Sequence, residues 1–136
     1  MDEKGRLKIP AGFLEELKGF GEQFYVTSET GDCARIFPMK VWEELEGKLA
    51  RLSSHNKTKQ KFLTWTNYYG QAVEVDGQGR ILIPPVLREA AQMKGDVDVM
   101  GHLTYLEVWN HGRSLENLKK SPITDEDVKI LDELGI

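Results

Sequence analysis

The sequence predicts an α+β fold built from two short repeats that share one hydrophobic core. A segment near the start, DEKGRLKIP, recurs 74 positions later as DGQGRILIP. Looser similarity follows each copy: a short strand, a turn, a second strand ending in an aromatic residue, and a helical pattern. A strand–helix–hairpin unit this small cannot bury its own apolar face, whereas a second copy can complete it. One pseudo-two-fold core built from both copies is therefore expected.

Each repeat is predicted to contain the same elements in the same order. Leu7–Ile9 and Ile81–Ile83 are apolar, β-prone strands entered through a turn that contains glycine. Pro10 and Pro84 suit the first position of a helix, because the missing N–H costs nothing there, so AGFLEEL and PVLREAAQM are predicted as short helices. A hairpin follows in each copy, and then a second helix. These later helices are predicted over Val41–Leu52 and Ser114–Lys119.

A strand is predicted before the second motif only. Gln71–Val75 alternates in the manner of a strand and continues into the second motif, whereas Met1 alone precedes the first. Either the first repeat lacks this strand or another chain completes its edge. The chain then divides into a first repeat at residues 1–53, a basic and aromatic connector at 54–69, a second repeat at 70–120 and an acidic C-terminal helix at 121–136.

The C-terminal helix is predicted from its cap and its apolar stripe. Thr124 and Asp127 have the spacing of a capping box, with Asp in place of Glu. The apolar positions recur at helical spacing at Val128, Leu131 and Leu134. This helix either packs on its own domain or binds a partner.

Composition excludes several classes of protein. With 136 residues, of which 40% are hydrophobic and 29% charged, the chain fits one domain or two small ones. No apolar run approaches the roughly 18–20 residues of a membrane helix, and no signal peptide precedes the first motif, so no membrane partner is expected. Cys33 is the only cysteine, which indicates a reducing cytoplasm and a small buried side chain.

The charges are segregated along the chain. The net charge of −4 argues mildly against a nucleic-acid partner. The electrostatic field at a surface depends more on where the charged residues lie than on their total. Lys48–Lys61 has five positive residues and no acid, whereas Ser121–Ile136 has several acids and a single lysine. The basic segment is either a solvated loop or a strip that contacts phosphate groups beside nearby aromatic residues.

The repeated Asp-x-x-Gly-Arg motif has two possible roles. Its aspartate can accept hydrogen bonds from N–H groups two residues on, and its glycine tolerates φ > 0. The guanidinium that follows suits a carboxylate, a phosphate or the edge of guanine. One copy could form only an internal ion pair that stiffens the turn, but two similar arginines match how dimeric DNA-binding proteins contact spaced half-sites. The turn-shaping residues are Asp2, Gly5, Asp76 and Gly79.

The sequence contains no recognisable catalytic or metal-binding constellation. DGQGRIL lacks the third glycine of a dinucleotide fingerprint, since Leu82 stands there and a strand follows in place of a helix. His55, His102 and His111 lack the spacing and the companion cysteines of a zinc site. Neither a P-loop nor a nucleophile elbow occurs. We therefore expect no enzymatic activity, no cofactor, no metal and no small-molecule substrate.

Taken together, the two motifs and the hairpins resemble the MraZ family of bacterial transcriptional regulators, within the AbrB/SpoVT superfamily. The resemblance is carried by the two D-x-x-G-R motifs, each followed by a strand and I-P, by DGQGRILIPPVLREAA, and by a hairpin ending in LEVWN at Asn110. It implies two AbrB-like swapped-hairpin repeats that form one pseudo-two-fold β-barrel with flanking short helices. It also implies a homo-oligomer in the form of a ring.

The same resemblance implies double-stranded DNA as the partner and a nucleoid-associated location. The implied target is a set of short direct repeats upstream of the division and cell-wall gene cluster. The family usually has a strand before the first motif, and its absence here bears on how the first arginine is presented. The alternative is an oligomeric, antitoxin-like interaction module that binds a protein through Ser121–Ile136. The implied DNA contacts are Arg6 and Arg80, with Lys4, Lys8 and Gln78 as their neighbours.

Overall fold

The fold combines short strands with helices, as the sequence predicts. A computed structural model describes residues 1–136, the side chain of Lys18 excepted. The first half contains β1 (Arg6–Lys8), α1 (Ala11–Leu17), a 3-10 turn (Lys18–Phe20), β2 (Gln23–Thr27), β3 (Ala34–Pro38), α2 (Met39–Ala50) and α3 (Lys57–Tyr69). The second half contains β4 (Gln71–Glu74), β5 (Arg80–Leu82), α4 (Pro85–Ala90), β6 (Val97–Gly101), β7 (Leu106–Asn110), α5 (His111–Lys120) and α6 (Asp125–Glu133).

Both sheets are built from strands of both repeats. β1 pairs antiparallel with β5, and the five-stranded sheet has the order β4-β2-β3-β7-β6. Leu7 stands opposite Ile81 in the first sheet, and Arg35 stands opposite Glu107 in the second. In each pair the two residues occupy equivalent positions of the two repeats. Equivalent residues of the two halves thus pair with each other, which is the arrangement expected of a pseudo-two-fold core.

The two sheets contribute to a single hydrophobic core. Ile9, Ile81 and Ile83 are almost completely buried, and they belong to one cluster with Val26 and Val108 of the larger sheet. Burying an aliphatic side chain of this size stabilises the fold by about 1.5–3 kcal/mol. The buried isoleucines that follow each Asp-x-x-Gly-Arg motif thus anchor the motif strands to the core.

Helices α2 and α3 cover the opposite face of the larger sheet. Because strand residues alternate, Tyr25 faces away from the core side of β2, and its ring stacks on Trp42 with centroids 4.5 Å apart. Trp42 also stacks on Phe62 of α3 at 6.2 Å. Asn56 begins α3, since its side chain accepts a hydrogen bond of 2.9 Å from the N–H of Lys59. Most of the predicted connector is therefore a helix.

The two short helices begin where AGFLEEL and PVLREAAQM were predicted, but Pro10 and Pro84, which were expected at the first helical position, lie just outside them. α4 begins at Pro85, and Pro84 is its N-cap with φ −54° and ψ 139°. The cause is local, because a residue that precedes proline is pushed out of the helical region. α1 likewise begins at Ala11, after Pro10.

Of the remaining predictions, the helix cap is confirmed and the barrel is not. The capping box of α6 is confirmed, with Thr124 and Asp127 each accepting a backbone hydrogen bond from the other. In residues 1–136 the larger sheet ends at β4 and β6 without closing on itself, so the swapped-hairpin barrel stays a prediction. Among the helices described, none is long and apolar enough to cross a bilayer.

Candidate nucleic-acid interface

The first Asp-x-x-Gly-Arg motif folds into a tight turn organised by its aspartate. Asp2 Oδ1 accepts hydrogen bonds from the backbone N–H groups of Lys4, at 3.0 Å, and Arg6, at 2.8 Å. Asp2 Oδ2 accepts a third, at 2.8 Å, from Arg6 Nε. One carboxylate thus fixes both the backbone of the turn and the direction of the guanidinium.

The second motif repeats this arrangement contact by contact. Asp76 Oδ1 accepts from the backbone N–H groups of Gln78, at 2.8 Å, and Arg80, at 2.9 Å. Asp76 Oδ2 accepts from Arg80 Nε at 2.9 Å. The equivalence shows that the doubled sequence specifies a doubled structure.

Glycine is required in both turns by the backbone conformation. Gly5 has φ +83° and Gly79 has φ +73°, in the left-handed region that disfavours other residues. The surroundings differ, because a Cβ at Gly5 would collide with the guanidinium of Arg88, whereas a Cβ at Gly79 would lie 3.0 Å from Leu14 Cδ1. Arg88 and Leu14 are equivalent positions of the two repeats.

The two turns are interlocked and lie side by side. The N–H of Ile9 donates to the carbonyl of Gly79 at 3.0 Å, and the N–H of Ile83 donates to the carbonyl of Gly5 at 2.9 Å. Each strand is therefore closed by the turn of the other repeat. As a result, Asp2 Oδ2 also lies 3.8 Å from Arg80 Nη1, so one carboxylate stands between both guanidinium groups.

The ion pairs hold the arginines in place without using up their donors. Each aspartate contacts the Nε of its arginine, and a guanidinium has five N–H donors in a rigid fork. The side chain of Arg6 is 34% exposed and that of Arg80 is 24% exposed, so solvent reaches both. Exposed pairs of this kind contribute only about 0–1 kcal/mol to stability. The internal ion pair considered from the sequence is present, and it leaves terminal nitrogens for a ligand.

The aspartates stay ionised beside these arginines. The backbone hydrogen bond from Arg6 is the main cause that lowers the pKa of Asp2 below its ordinary value, and the backbone of Arg80 does the same for Asp76. A phosphate brought to this surface would meet two carboxylates as well as the cations. The arginines must therefore face the ligand directly if an anion is to bind.

The structure brings the other predicted residues to the same surface. Lys8 Nζ donates to the carbonyl of Gln78, which links the first motif strand to the second turn. Lys4, Lys8 and Gln78 are all exposed. The five predicted contacts therefore belong to two adjoining turns and one strand.

Arg88, which was not predicted from the sequence, also lies at this surface. Its guanidinium lies over Gly5, and its Nε donates to the carbonyl of Ile83 at 3.0 Å. The equivalent residue of the first repeat is Leu14, so comparison of the two repeats gave no sign of it. The only sequence feature that could have indicated it was a positively charged residue in the short helix after the second Ile-Pro.

The basic segment Lys48–Lys61 lies elsewhere. It spans the end of α2 and the start of α3, and these helices cover the face of the larger sheet opposite the core. The motif strands pack on the core side. In the part of the chain that the structure describes, no group of histidines, cysteines and carboxylates could hold a metal ion.

Two equivalent arginine turns on one pseudo-two-fold α+β core define the class: a two-repeat protein that presents paired polar loops on a rigid scaffold. The chain belongs to the MraZ family, whose model, described as "MraZ protein, putative antitoxin-like", matches residues 1–64 and 70–114.

Two of three curated relatives align with the whole chain. It is 53% identical over 138 residues to a protein of Koribacter versatilis and 49% identical over 137 residues to one of Acidobacterium capsulatum. Both alignments span 100% of this chain and 94% of the relative. A protein of Syntrophobacter fumaroxidans is 38% identical over 110 residues, covering 81% of this chain and 73% of its own length. Each of the three is named "Transcriptional regulator MraZ".

Proposed function

We propose that this protein is a sequence-specific regulator of transcription that binds double-stranded DNA and has no enzymatic activity. The observation that carries the proposal is the pair of oriented arginines, Arg6 and Arg80, on interlocked and equivalent turns. Membership of the MraZ family and the names of the relatives support the same function. The proposed site of action is the nucleoid, at short direct repeats upstream of the division and cell-wall gene cluster.

The proposed roles follow from the chemistry of each side chain. Arg6 and Arg80 contact base edges or clamp the backbone, and a good bidentate contact with guanine contributes about 1–3 kcal/mol of discrimination. Lys4 and Lys8 neutralise phosphates of the DNA. Gln78, at the tip of the second turn, forms a hydrogen bond with the DNA. Asp2, Gly5, Asp76 and Gly79 shape the turns and take no part in recognition.

We further propose that several chains assemble into a ring, and that each pair of sheets forms a swapped-hairpin barrel. Assembly of several chains would explain how a chain of negative net charge can bind negatively charged DNA. The net charge of −4 disfavours a single weak contact, but linked copies raise the effective concentration of each following contact.

The test is a fluorescence-anisotropy titration of the protein's own upstream region with Arg80→Ala. We expect weaker binding and a smaller dependence of affinity on salt, because one contact with DNA is lost. Lys40→Ala is the matched control, since it removes an equal charge from an exposed position on α2 that lies outside the basic segment Lys48–Lys61. Equal affinity and equal salt slope in the two variants would contradict the assignment.

A second candidate is an oligomeric interaction module that captures a protein through its C-terminal segment. The observation in its favour is that no residue of α6 is buried, although the helix carries several apolar side chains. Deleting Ser121–Ile136 would then abolish capture of the partner and leave DNA affinity unchanged. A deletion that weakens DNA binding instead would favour the first candidate.

A further inference from the structure

Helix α6 carries an exposed stripe of acidic and apolar side chains that continues onto its C-cap residue, Leu134. Glu126, Ile130 and Leu134 recur at i, i+4 and i+8, which places them on one face of the helix. All three are exposed, and Leu134 is 69% exposed. The capping box satisfies backbone N–H groups at the start of the helix. The stripe is thus a preformed but unpaired surface.

Helix α3 carries a stripe of the complementary kind. Lys57, Lys61, Trp65 and Tyr68 lie at i, i+4, i+8 and i+11, again on one face. All four side chains are exposed, including Trp65 at 47% and Tyr68 at 66%. No acid occurs between Lys48 and Tyr69. We name these four residues the α3 strip.

The opposite face of α3 explains why the strip is presented rigidly. Phe62 stacks on Trp42, and the Thr66 carbonyl accepts a hydrogen bond of 2.7 Å from Thr27 Oγ1 of β2. Tyr69 is buried, with its ring 6.1 Å from that of Trp65. The exposed aromatic residues are therefore held in position by packing behind them.

We propose that α6 of one chain docks on the α3 strip of a second copy of the same chain, and that this contact joins copies head to tail. With the helices parallel, Glu126 meets Lys61, Ile130 meets Trp65, and Leu134 meets Tyr68. The spacings agree, because Glu126 to Leu134 extends about 12 Å along the helix axis and Lys61 to Tyr68 about 10 Å. The contact deepens the ring assembly proposed above and is independent of how DNA is recognised.

A second copy fits this surface better than the alternatives do. Within one chain both stripes are exposed, so α6 does not reach its own α3 strip. Duplex DNA would satisfy the lysines but not the aromatic residues, because stacking on aromatic side chains serves unpaired bases. An acidic amphipathic helix pairs its carboxylates with the lysines of the strip and packs its apolar side chains on the aromatic residues. A contact between two different surfaces closes a ring when the rotation permits, which matches a ring of identical chains.

Charge reversal gives a test with an internal control. Lys57→Glu/Lys61→Glu makes the strip acidic, and Asp125→Lys/Glu126→Lys makes the first turn of α6 basic while keeping Thr124 and Asp127. By light scattering after size exclusion, we expect each variant alone to lose mass toward the 15.5 kDa of one chain. Mixing the two variants restores the mass, since each basic surface then faces an acidic one. Rescue by mixing cannot come from an unfolded helix.

Matched controls separate this contact from other effects of charge. Glu15→Lys/Glu16→Lys reverses two exposed acids on α1 and should leave the mass unchanged. Glu126→Cys and Lys61→Cys, placed on separate chains with different tags, should form a mixed disulfide, and Cys33 is buried and takes no part. A wild-type chain that runs as a single subunit, unchanged masses of both reversed variants, or failure of mixing to restore mass would each overturn the proposal.

The outcome for DNA binding is measured on the same samples. If Lys57→Glu/Lys61→Glu lowers DNA affinity while its mass stays that of wild type, the strip is a DNA contact and the proposal is wrong. If mass falls and Arg80→Ala still weakens binding relative to Lys40→Ala, both proposals stand. Failure of DNA binding in wild type would refute the proposed function alone.

Discussion

Gly79→Ala is expected to lower the free energy of unfolding by about 1–2 kcal/mol, the cost of forcing a residue with a Cβ into the left-handed region. Gly79 has φ +73°, and the added Cβ would lie 3.0 Å from Leu14 Cδ1. A leucine methyl group can move by a few tenths of an ångström, so the steric contribution is small. The backbone conformation therefore accounts for most of the expected loss.

Gly5→Ala should cost more than Gly79→Ala, although the two positions are equivalent. Its φ of +83° carries a similar penalty, and its Cβ would also displace the guanidinium of Arg88. Displacement breaks the 3.0 Å hydrogen bond from Arg88 Nε to the carbonyl of Ile83. A hydrogen bond to a charged group contributes about 1.5–3 kcal/mol when buried and less when partly exposed as here, so a total near 2–4 kcal/mol is expected.

Gly77→Ala provides the matched control within the same motif. Gly77 has no positive φ, and no atom lies within 4 Å of its would-be Cβ. Its replacement should be neutral, or stabilising by about 0.4–1 kcal/mol through the unfolded state. Urea unfolding monitored by circular dichroism measures all three variants. Equal stability of Gly79→Ala and Gly77→Ala would refute the account of the turn.

Two further predictions concern titrating groups. The pKa of Asp2 and of Asp76 lies below the ordinary 3.8 in the folded chain, so their contribution to stability is present above that pH and is lost as pH falls below it. The difference in unfolding free energy between wild type and Asp2→Asn/Asp76→Asn should therefore shrink in acid, and a constant difference from neutral pH to about pH 2 would contradict this. Burial raises the pKa of the Cys33 thiol to about 12, so iodoacetamide at pH 8 should modify it in urea but not in the native protein, as mass spectrometry would detect. Fast modification of the native protein would show that the segment before β3 opens readily and would contradict the prediction.

The turns were predictable because their chemistry is local. An aspartate that binds N–H groups two and four residues on, a glycine with positive φ and an arginine at the start of a strand all lie within five positions. The second copy of the motif then repeated the same evidence for a turn. The strands after each motif followed from alternating apolar residues, which are the ones buried in the shared core. Short-range rules therefore sufficed for most of the candidate site.

Helix α3 was harder to predict because its stability comes from packing on distant residues. Its sequence, KTKQKFLTWTNYY, has basic and β-branched residues and no acidic first turn. Its helical form depends on the Asn56 cap, on the stacking of Phe62 against Trp42 and on the hydrogen bond from Thr27 to the Thr66 carbonyl. The cap is local, but Trp42 and Thr27 lie 20 and 39 positions from their partners on α3, where sequence pattern gives no guide.

The repeats share the turn but not the position of the cation that lies beside it. The turn at Gly5 is covered by Arg88, and the turn at Gly79 has the Lys8 amine 3.4 Å from its would-be Cβ. In both cases the cation comes from the other repeat. The positions equivalent to Arg88 and Lys8 are Leu14 and Leu82, so the two cations are unrelated by the repeat. Comparing one repeat with the other finds the aspartates, glycines and arginines but misses Arg88, because only the folded pairing of β1 with β5 puts each turn within reach of a cation from the opposite half.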